Sequence, residues 1–297
     1  MSIHKSLRCA FAICTAAFAC AVQAVPVSYL AGTVVQTNDG YDVDFQQQTS
    51  SSASRTYTPY GNSYESVSAS ANLAAGTIKV RTEGQANNAT GALGPYGGAF
   101  IGDSFRHYSG TNPFTWTSSS TAQFNIHIDG STYLDAGPGD VYNFSIVALV
   151  IYKPGTLDSD APYCGANVIK SFFWSIGDRP QATDPCGNAF LDNLSGDVDT
   201  NLLASFMPNG DFDWTFGVKL GGAFNGGALP NGFASGTWIN DFSHTATLSY
   251  AAPDGATVQS ASGAFPGTAA LQVPEPAALS LVGLGLFAAV AVRRRRH

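Results

Sequence analysis

The strongest constraint on the fold is a two-residue alternation of apolar and polar side chains that recurs along the middle of the chain. Ala122, Phe124, Ile126 and Ile128 alternate with Gln123, Asn125, His127 and Asp129. Phe212, Trp214, Phe216 and Val218 alternate with Asp213, Thr215, Gly217 and Lys219. Phe242, His244, Ala246, Leu248 and Tyr250 alternate with Ser243, Thr245, Thr247 and Ser249. On a strand this period sends one set of side chains to a core and the other to water. Val141 to Tyr152 is apolar on both faces and predicts a central strand, and Val168 to Ile176, with Phe172, Phe173 and Trp174, predicts another. Tyr64 to Ser70 and Thr77 to Thr82 give a weaker set near the start.

Turn-forming residues separate these runs: Asn38-Asp39-Gly40, Asp129-Gly130, Gly137-Pro138-Gly139, Pro208-Asn209-Gly210 and Pro253-Asp254-Gly255. Thr49 to Thr58, rich in Ser and Thr, reads as a loop, and Gly217 to Gly236, with seven glycines, as a loop or irregular edge. Leu191 to Phe206 can hold one short helix; no other segment between the termini predicts one. The 32 glycines and a charged fraction of only 12% disfavour a helical bundle. The prediction is all-β: a β-sandwich of jelly-roll type formed by residues 25–272 as one domain, flanked by an N-terminal signal and a short C-terminal transmembrane helix.

Both ends read as addresses. Lys5 and Arg8 precede an uncharged run from Cys9 to Cys20, and Val22-Gln23-Ala24 supplies the small residues that signal peptidase requires, so cleavage is expected after Ala24. Lipoprotein processing at Cys20 is the rival, though Ala17-Phe18-Ala19 lacks the usual aliphatic residue. At the other end, Pro274-Glu275-Pro276 precedes the uncharged segment Ala277 to Val292, which is followed by Arg293, Arg294, Arg295 and Arg296. Its sixteen residues reach about 24 Å as a helix, short of a bilayer core of about 30 Å. Such a span suits a temporary tether to the inner membrane, with the arginines held on the cytoplasmic side.

The triplet, the short Gly/Ala/Leu segment and the arginine cluster together resemble the PEP-CTERM sorting signal of Gram-negative bacteria. The resemblance implies recognition by exosortase, a membrane-embedded cysteine protease that removes the tail near the triplet, and export from cells that make extracellular polysaccharide. Asp241 to Leu248, followed by Pro253-Asp254-Gly255 and Ser260-Ala261-Ser262-Gly263, is similar to the closing hairpin of such exported domains. Ser68 to Ile78 is similar to a segment near their start. The resemblance implies no chemistry.

With the ends removed, residues 25–272 carry eight Lys and Arg against 20 Asp and Glu, a net charge of −12. That balance argues against nucleic acid as a partner. Cys164 and Cys186 are the only cysteines left, and in an exported chain the pair is expected to form a disulfide.

Candidates for chemistry are few. His107, His127 and His244 share no metal spacing; His127 falls on a polar strand face and His244 on an apolar one. No G-x-S-x-G is present, and Glu65 and Glu83 are the only glutamates in the body, although the scattered aspartates leave a carboxylate pair open. Asp192, Asp197 and Asp199, with Asn193 and Gly196, form the densest polar run. It is a candidate calcium loop, or else a solvated acidic turn, and it departs from the EF-hand order. Tyr57, Tyr60, Tyr96, Tyr108, Trp116 and Trp238 are candidate sugar-stacking platforms or caps on the sandwich ends. The functional expectation is a non-catalytic, exosortase-processed surface or matrix protein associated with exopolysaccharide. The alternative is a carbohydrate-binding or carbohydrate-active sandwich, with calcium as its one candidate cofactor.

Overall fold

The computed structural model describes residues 29–46, 48–58, 63–89, 94–136, 141–158, 162–177, 183–206, 215–228, 234–265 and 269–270. The chain divides into a unit spanning Pro26–Ala270 and a second formed by Met1–Val25 with Leu271–His297, which lies outside the described residues.

Every regular element described is a strand. In chain order these are β1 (Tyr29–Thr37), β2 (Gly40–Gln46), β3 (Ser50–Tyr57), β4 (Tyr64–Asn72), β5 (Thr77–Ala89), β6 (Tyr96–Ser109), β7 (Asn112–Pro113) and β8 (Ala122–Ala136). They continue with β9 (Val141–Tyr152), β10 (Val168–Ile176), β11 (Asn193–Leu194), β12 (Asp197–Phe206), β13 (Thr215–Ala228), β14 (Ala234–Ala251), β15 (Thr257–Ser260) and β16 (Ala269–Ala270). A ten-stranded sheet runs β11-β10-β9-β13-β6-β1-β2, with β7, β15 and β16 off its path, and a six-stranded sheet runs β12-β8-β14-β5-β4-β3.

Eight strands, β5, β6, β8, β9, β10, β12, β13 and β14, form the centre. Taken as first to eighth, they stand first-eighth-third-sixth in the smaller sheet and second-seventh-fourth-fifth in the larger. This is the double Greek-key order of a jelly roll. The hairpin β1–β2 widens one sheet and the hairpin β3–β4 the other. Asn38-Asp39 is the two-residue turn of the first hairpin, closing Thr37 against Gly40, as its sequence predicts.

The alternating runs bury the faces expected of them. Ala122, Phe124, Ile126 and Ile128 are fully buried, and Phe242, Ala246 and Leu248 nearly so. They meet Val147, Leu149 and Ile151 of β9 and Phe172, Trp174 and Ile176 of β10 in one core between the sheets. Each of the buried Val, Leu, Ile and Phe side chains contributes roughly 1.5–3 kcal/mol relative to exposure. As its two-sided sequence predicts, β9 also buries its other face: Ala148, Val150 and Tyr152 pack with Leu30, Phe100, Leu157 and Phe173 in a second apolar layer, covered by Tyr163, Cys164, Cys186 and Phe190.

That second layer overturns one expectation. Thr215 and Lys219 do not face water; they are 4% and 3% exposed. The Lys219 ammonium lies 4.7 Å from the Phe100 ring centre and 5.4 Å from that of Tyr163, a geometry in which the ring quadrupoles attract the cation.

Four further expectations are corrected. Residues 217–228 are not a loop but most of β13, hydrogen-bonded to β6 and β9 across the centre of the larger sheet. The glycines there admit rings: a Cβ on Gly221 would stand 2.8 Å from the Tyr163 hydroxyl, and one on Gly226 would stand 2.1 Å from Trp238 Cδ1. Residues 191–206 form no helix. In β12, Val198, Leu202 and Ala204 are buried while Leu203 is 64% exposed, a period of two that the adjacent Leu202-Leu203 obscures in sequence. Thr49–Thr58 is mostly β3, paired with β4 over Ser50–Tyr57. Asp129-Gly130 is no turn but lies inside β8, where a Cβ on Gly130 would meet the Phe242 ring at 2.3 Å; β14 bulges opposite, between Asp241 and Thr245. Pro253-Asp254-Gly255 does form the expected turn, with Gly255 at φ +80°.

Candidate functional site

A shallow groove of about 450 Å³ lies on the outer face of the smaller sheet. Its shape follows from β3, β4 and β5. Along β4, Val67, Ala69 and Ala71 point to the core, which leaves Ser66, Ser68 and Ser70 outside. The register sets Ser52 beside Ser70 and Ser54 beside Ser68 on one side, then Ser70 beside Lys79 and Ser68 beside Arg81 on the other. Short hydroxyl side chains make a low floor, and Lys79 and Arg81 make a raised rim, with Ser243 also lining the groove.

The two rim cations differ. Arg81 is ion-paired with Asp241 and, at 2.7 Å, with Glu83. The hydrogen bond to Glu83 is the first cause holding its guanidinium above its ordinary pKa. Lys79 is exposed and makes no ion pair among the described residues. The groove therefore offers rows of hydroxyls, each both donor and acceptor, beside the exposed Lys79 ammonium.

The sequence-predicted residues fall elsewhere. Ala24, Pro274, Glu275, Pro276 and Arg293 to Arg296 lie outside the described residues. Cys164 and Cys186 stand at disulfide distance, S–S 1.91 Å and Cα–Cα 5.8 Å. They clip the layer over the outer face of the larger sheet, and burial pushes the neighbouring Tyr163 hydroxyl up to about 12.

The three aspartates proposed for calcium are not brought together. Asp192 flanks the larger sheet, where its carboxylate accepts the Asn193 N–H at 2.8 Å and its carbonyl the Ser175 N–H at 3.0 Å. Asp197 and Asp199 are exposed on the smaller sheet, on either side of buried Val198. Asp199 stands opposite Asp129, with His127 Nε2 at 3.8 Å. Among the described residues no group of three or more His, Cys, Asp or Glu is arranged to hold a metal ion.

His127 is on a polar face, as expected, and the side chain of His244 lies outside the described residues. His107 is fully buried. Its Nε2 is 2.7 Å from the Tyr250 hydroxyl and its ring stacks on Phe216 at 4.8 Å. Burial raises the Tyr250 hydroxyl well above its ordinary range, so this pair is packed as core. Of the candidate sugar platforms, Trp238 is fully buried, between Gly84 and Gly226. Tyr57, Tyr96, Tyr108 and Trp116 are half-buried, and Tyr60 lies outside the described residues.

Sequence reasoning missed two buried carboxylates. Glu65 accepts the N–H of Asn38, in the first hairpin turn, and at 3.0 Å that of Gly94; burial raises its pKa. Asp103 is fully buried and pushed up to about 6, with burial as the first cause. The signal for Asp103 was available: it is the one charge in the run Gly97 to Phe105, which forms a central strand. The serine groove was missed because β3 was read as a loop.

Among the described residues no helix is long and apolar enough to cross a membrane. No curated protein matches the chain. Residues 272–296 match the family description of the PEP-CTERM protein-sorting motif. The chain thus carries, at its C-terminal end, the mark of an exported protein targeted to exosortase.

Proposed function

We propose that this is a non-catalytic surface or extracellular-matrix protein, exported, processed by exosortase, and associated through its sandwich with the exopolysaccharide of the producing cell. The observation that carries the reading is the sorting motif over residues 272–296, which includes the Pro-Glu-Pro triplet and all four arginines. The groove on β3, β4 and β5 supports its second half. Facing strands stand about 4.8 Å apart, so the serine pairs repeat their hydroxyls at a spacing that sugar hydroxyls can meet. Among the described residues no aromatic side chain lines the groove, so each sugar would be held there by hydrogen bonds. Such contacts are weak singly and accumulate along a polymer that engages many copies of the domain.

The test uses the full chain in an exporting host that has exosortase. Changing Pro274, Glu275 and Pro276 to alanine is expected to leave the uncleaved chain in the inner membrane, while the unaltered chain loses its tail and co-sediments with the matrix polysaccharide. Equal release of both chains defeats the sorting half of the reading. Release without co-sedimentation defeats the polysaccharide half.

A further inference from the structure

The outermost strand of a sheet carries unpaired backbone N–H and C=O groups, and folded chains blunt such edges with charge, proline, bulges, short strands or a covering segment. Of the four strands that end the main paths of the two sheets, three are blunted. β11 has only two residues, Asn193–Leu194. β2 and β3 are laced to each other: Arg55 pairs with Asp42 at 3.0 Å and with Asp39 at 3.4 Å, and the Ser51 hydroxyl donates to Asp44 at 2.8 Å. β12 has none of these devices. It runs ten residues, Asp197–Phe206, in unbroken register with β8. It holds no proline and no basic residue, and its two acids, Asp197 and Asp199, sit at one end. Among the described residues no strand lies on its other side.

One bond fixes which groups of β12 face outward. The Thr132 N–H donates to the Gly196 carbonyl at 2.9 Å, one residue before the strand begins. In an antiparallel ladder, residues that exchange bonds with the neighbour alternate with residues that do not, so Val198, Thr200, Leu202 and Ala204 bond to β8. Asp197, Asp199, Asn201, Leu203 and Ser205 turn their N–H and C=O groups away from it. The side chains of the same five are exposed on the outer face of the sheet, Leu203 at 64%.

We propose that the outer edge of β12 is an interface that takes β12 of a second copy of this chain, antiparallel, across a two-fold axis at Asn201. The two six-stranded sheets then become one continuous sheet, through a self-complementary contact. Charge selects this arrangement. About that axis Asp199 stands opposite the second copy's Leu203 and Asp197 opposite its Ser205, so each acid meets an uncharged residue. A parallel pairing in register would set Asp197 on Asp197 and Asp199 on Asp199, and like charges facing across strands are destabilising. The antiparallel register also matches outward residue to outward residue, so every N–H and C=O that Asp197 to Ser205 turn away from β8 finds a partner. Val198, Leu202 and Ala204 stay on the inner face, where they are already buried. The pairing stands apart from the sorting and polysaccharide readings. It leaves the serine grooves at the far ends of the joined sheet, both on one face.

The test uses the purified full chain in mild detergent, with its mass from sedimentation equilibrium and its amide exchange followed residue by residue. A two-copy mass is expected, with the Asp199, Asn201 and Leu203 amides exchanging more slowly as protein concentration rises. The Thr200 and Leu202 amides, bonded to β8, are protected at every concentration. Asn201→Pro deletes only an outward N–H, which an edge strand tolerates. It removes two bonds from the symmetric pair and is expected to weaken pairing by about tenfold. Asn201→Asp sets two carboxylates face to face and is expected to weaken pairing by about fivefold. Mixing the Asn201→Asp chain with an Asn201→Lys chain is expected to restore it as mixed pairs, which damage to either fold would not do. A single-copy mass at millimolar protein overturns the proposal. So does association that leaves the Asp199, Asn201 and Leu203 amides unprotected, or that ignores all three substitutions. Protection of these amides only in protein still attached to cells assigns the edge to a different partner and overturns it as well.

Discussion

The two sheets of the sandwich share one core but differ on their outer faces. The larger sheet is covered outside as well as inside: Phe100, Val150, Tyr152 and Phe173 lie under Tyr163 and the Cys164–Cys186 clip, and even Lys219 is enclosed. The smaller sheet leaves its outer face open, lined by Ser52, Ser54, Ser68 and Ser70. The difference is written into the strands. Where both faces are covered, alternation gives way to continuous apolar sequence, as in β9, or to glycine, as in β13. Where one face is open, alternation survives, with small polar residues outside, as in β4.

The largest expected effect breaks the covered face. Replacing Cys164 and Cys186 together by serine frees a 22-residue separation and should lower stability by about 3 kcal/mol. Denaturant titration measures the loss, and hydrogen exchange should place it in β9, β10 and β13. If exchange rises equally in β3 and β4, the covering layer is not specific to one sheet.

A comparable effect depends on pH and lies at Asp103, on the inner side of β6. Burial raises its pKa from 3.8 to about 6, so between these values the folded chain holds a proton that the unfolded chain has released. The contribution of Asp103 to stability is therefore full below about pH 4 and is lost as pH rises to about 6. The loss is about 3 kcal/mol, given 1.36 kcal/mol per pKa unit. Asp103→Asn should flatten that part of the stability–pH curve, and an unchanged slope would remove the assignment. The smallest effect sharpens the contrast from the open side. Ser68→Ala should change stability by less than about 0.5 kcal/mol, and a larger loss in thermal unfolding would mean that the groove is structural rather than available to a ligand.

Much of this was legible in advance. Period two placed β8 and the end of β14, two-sided apolarity placed β9, the run with Phe172, Phe173 and Trp174 placed β10, and cysteine count in an exported chain paired Cys164 with Cys186. What misled was local chemistry used for a non-local purpose. The glycines of β13 look like loop residues because their role, admitting Tyr163 and Trp238, depends on groups distant in sequence. Gly130 mimics a turn for the same reason. The Ser and Thr of β3 look mobile because an edge strand with one open face needs little apolar surface. At the candidate site, the serines of β4 were visible, but the groove needs β3, β4 and β5 in register.

By itself the sequence determined the address and the class of fold, since both are carried by contiguous residues: the Pro-Glu-Pro tail with its arginines, and the strand-length alternations. Only the tertiary structure decided that Asp192 stands apart from Asp197 and Asp199, that Lys219 is enclosed, and that the buried Asp103 carboxylate accepts hydrogen bonds from Ser262. Each of these depends on which strands become neighbours, and that is settled by packing between segments far apart in the chain.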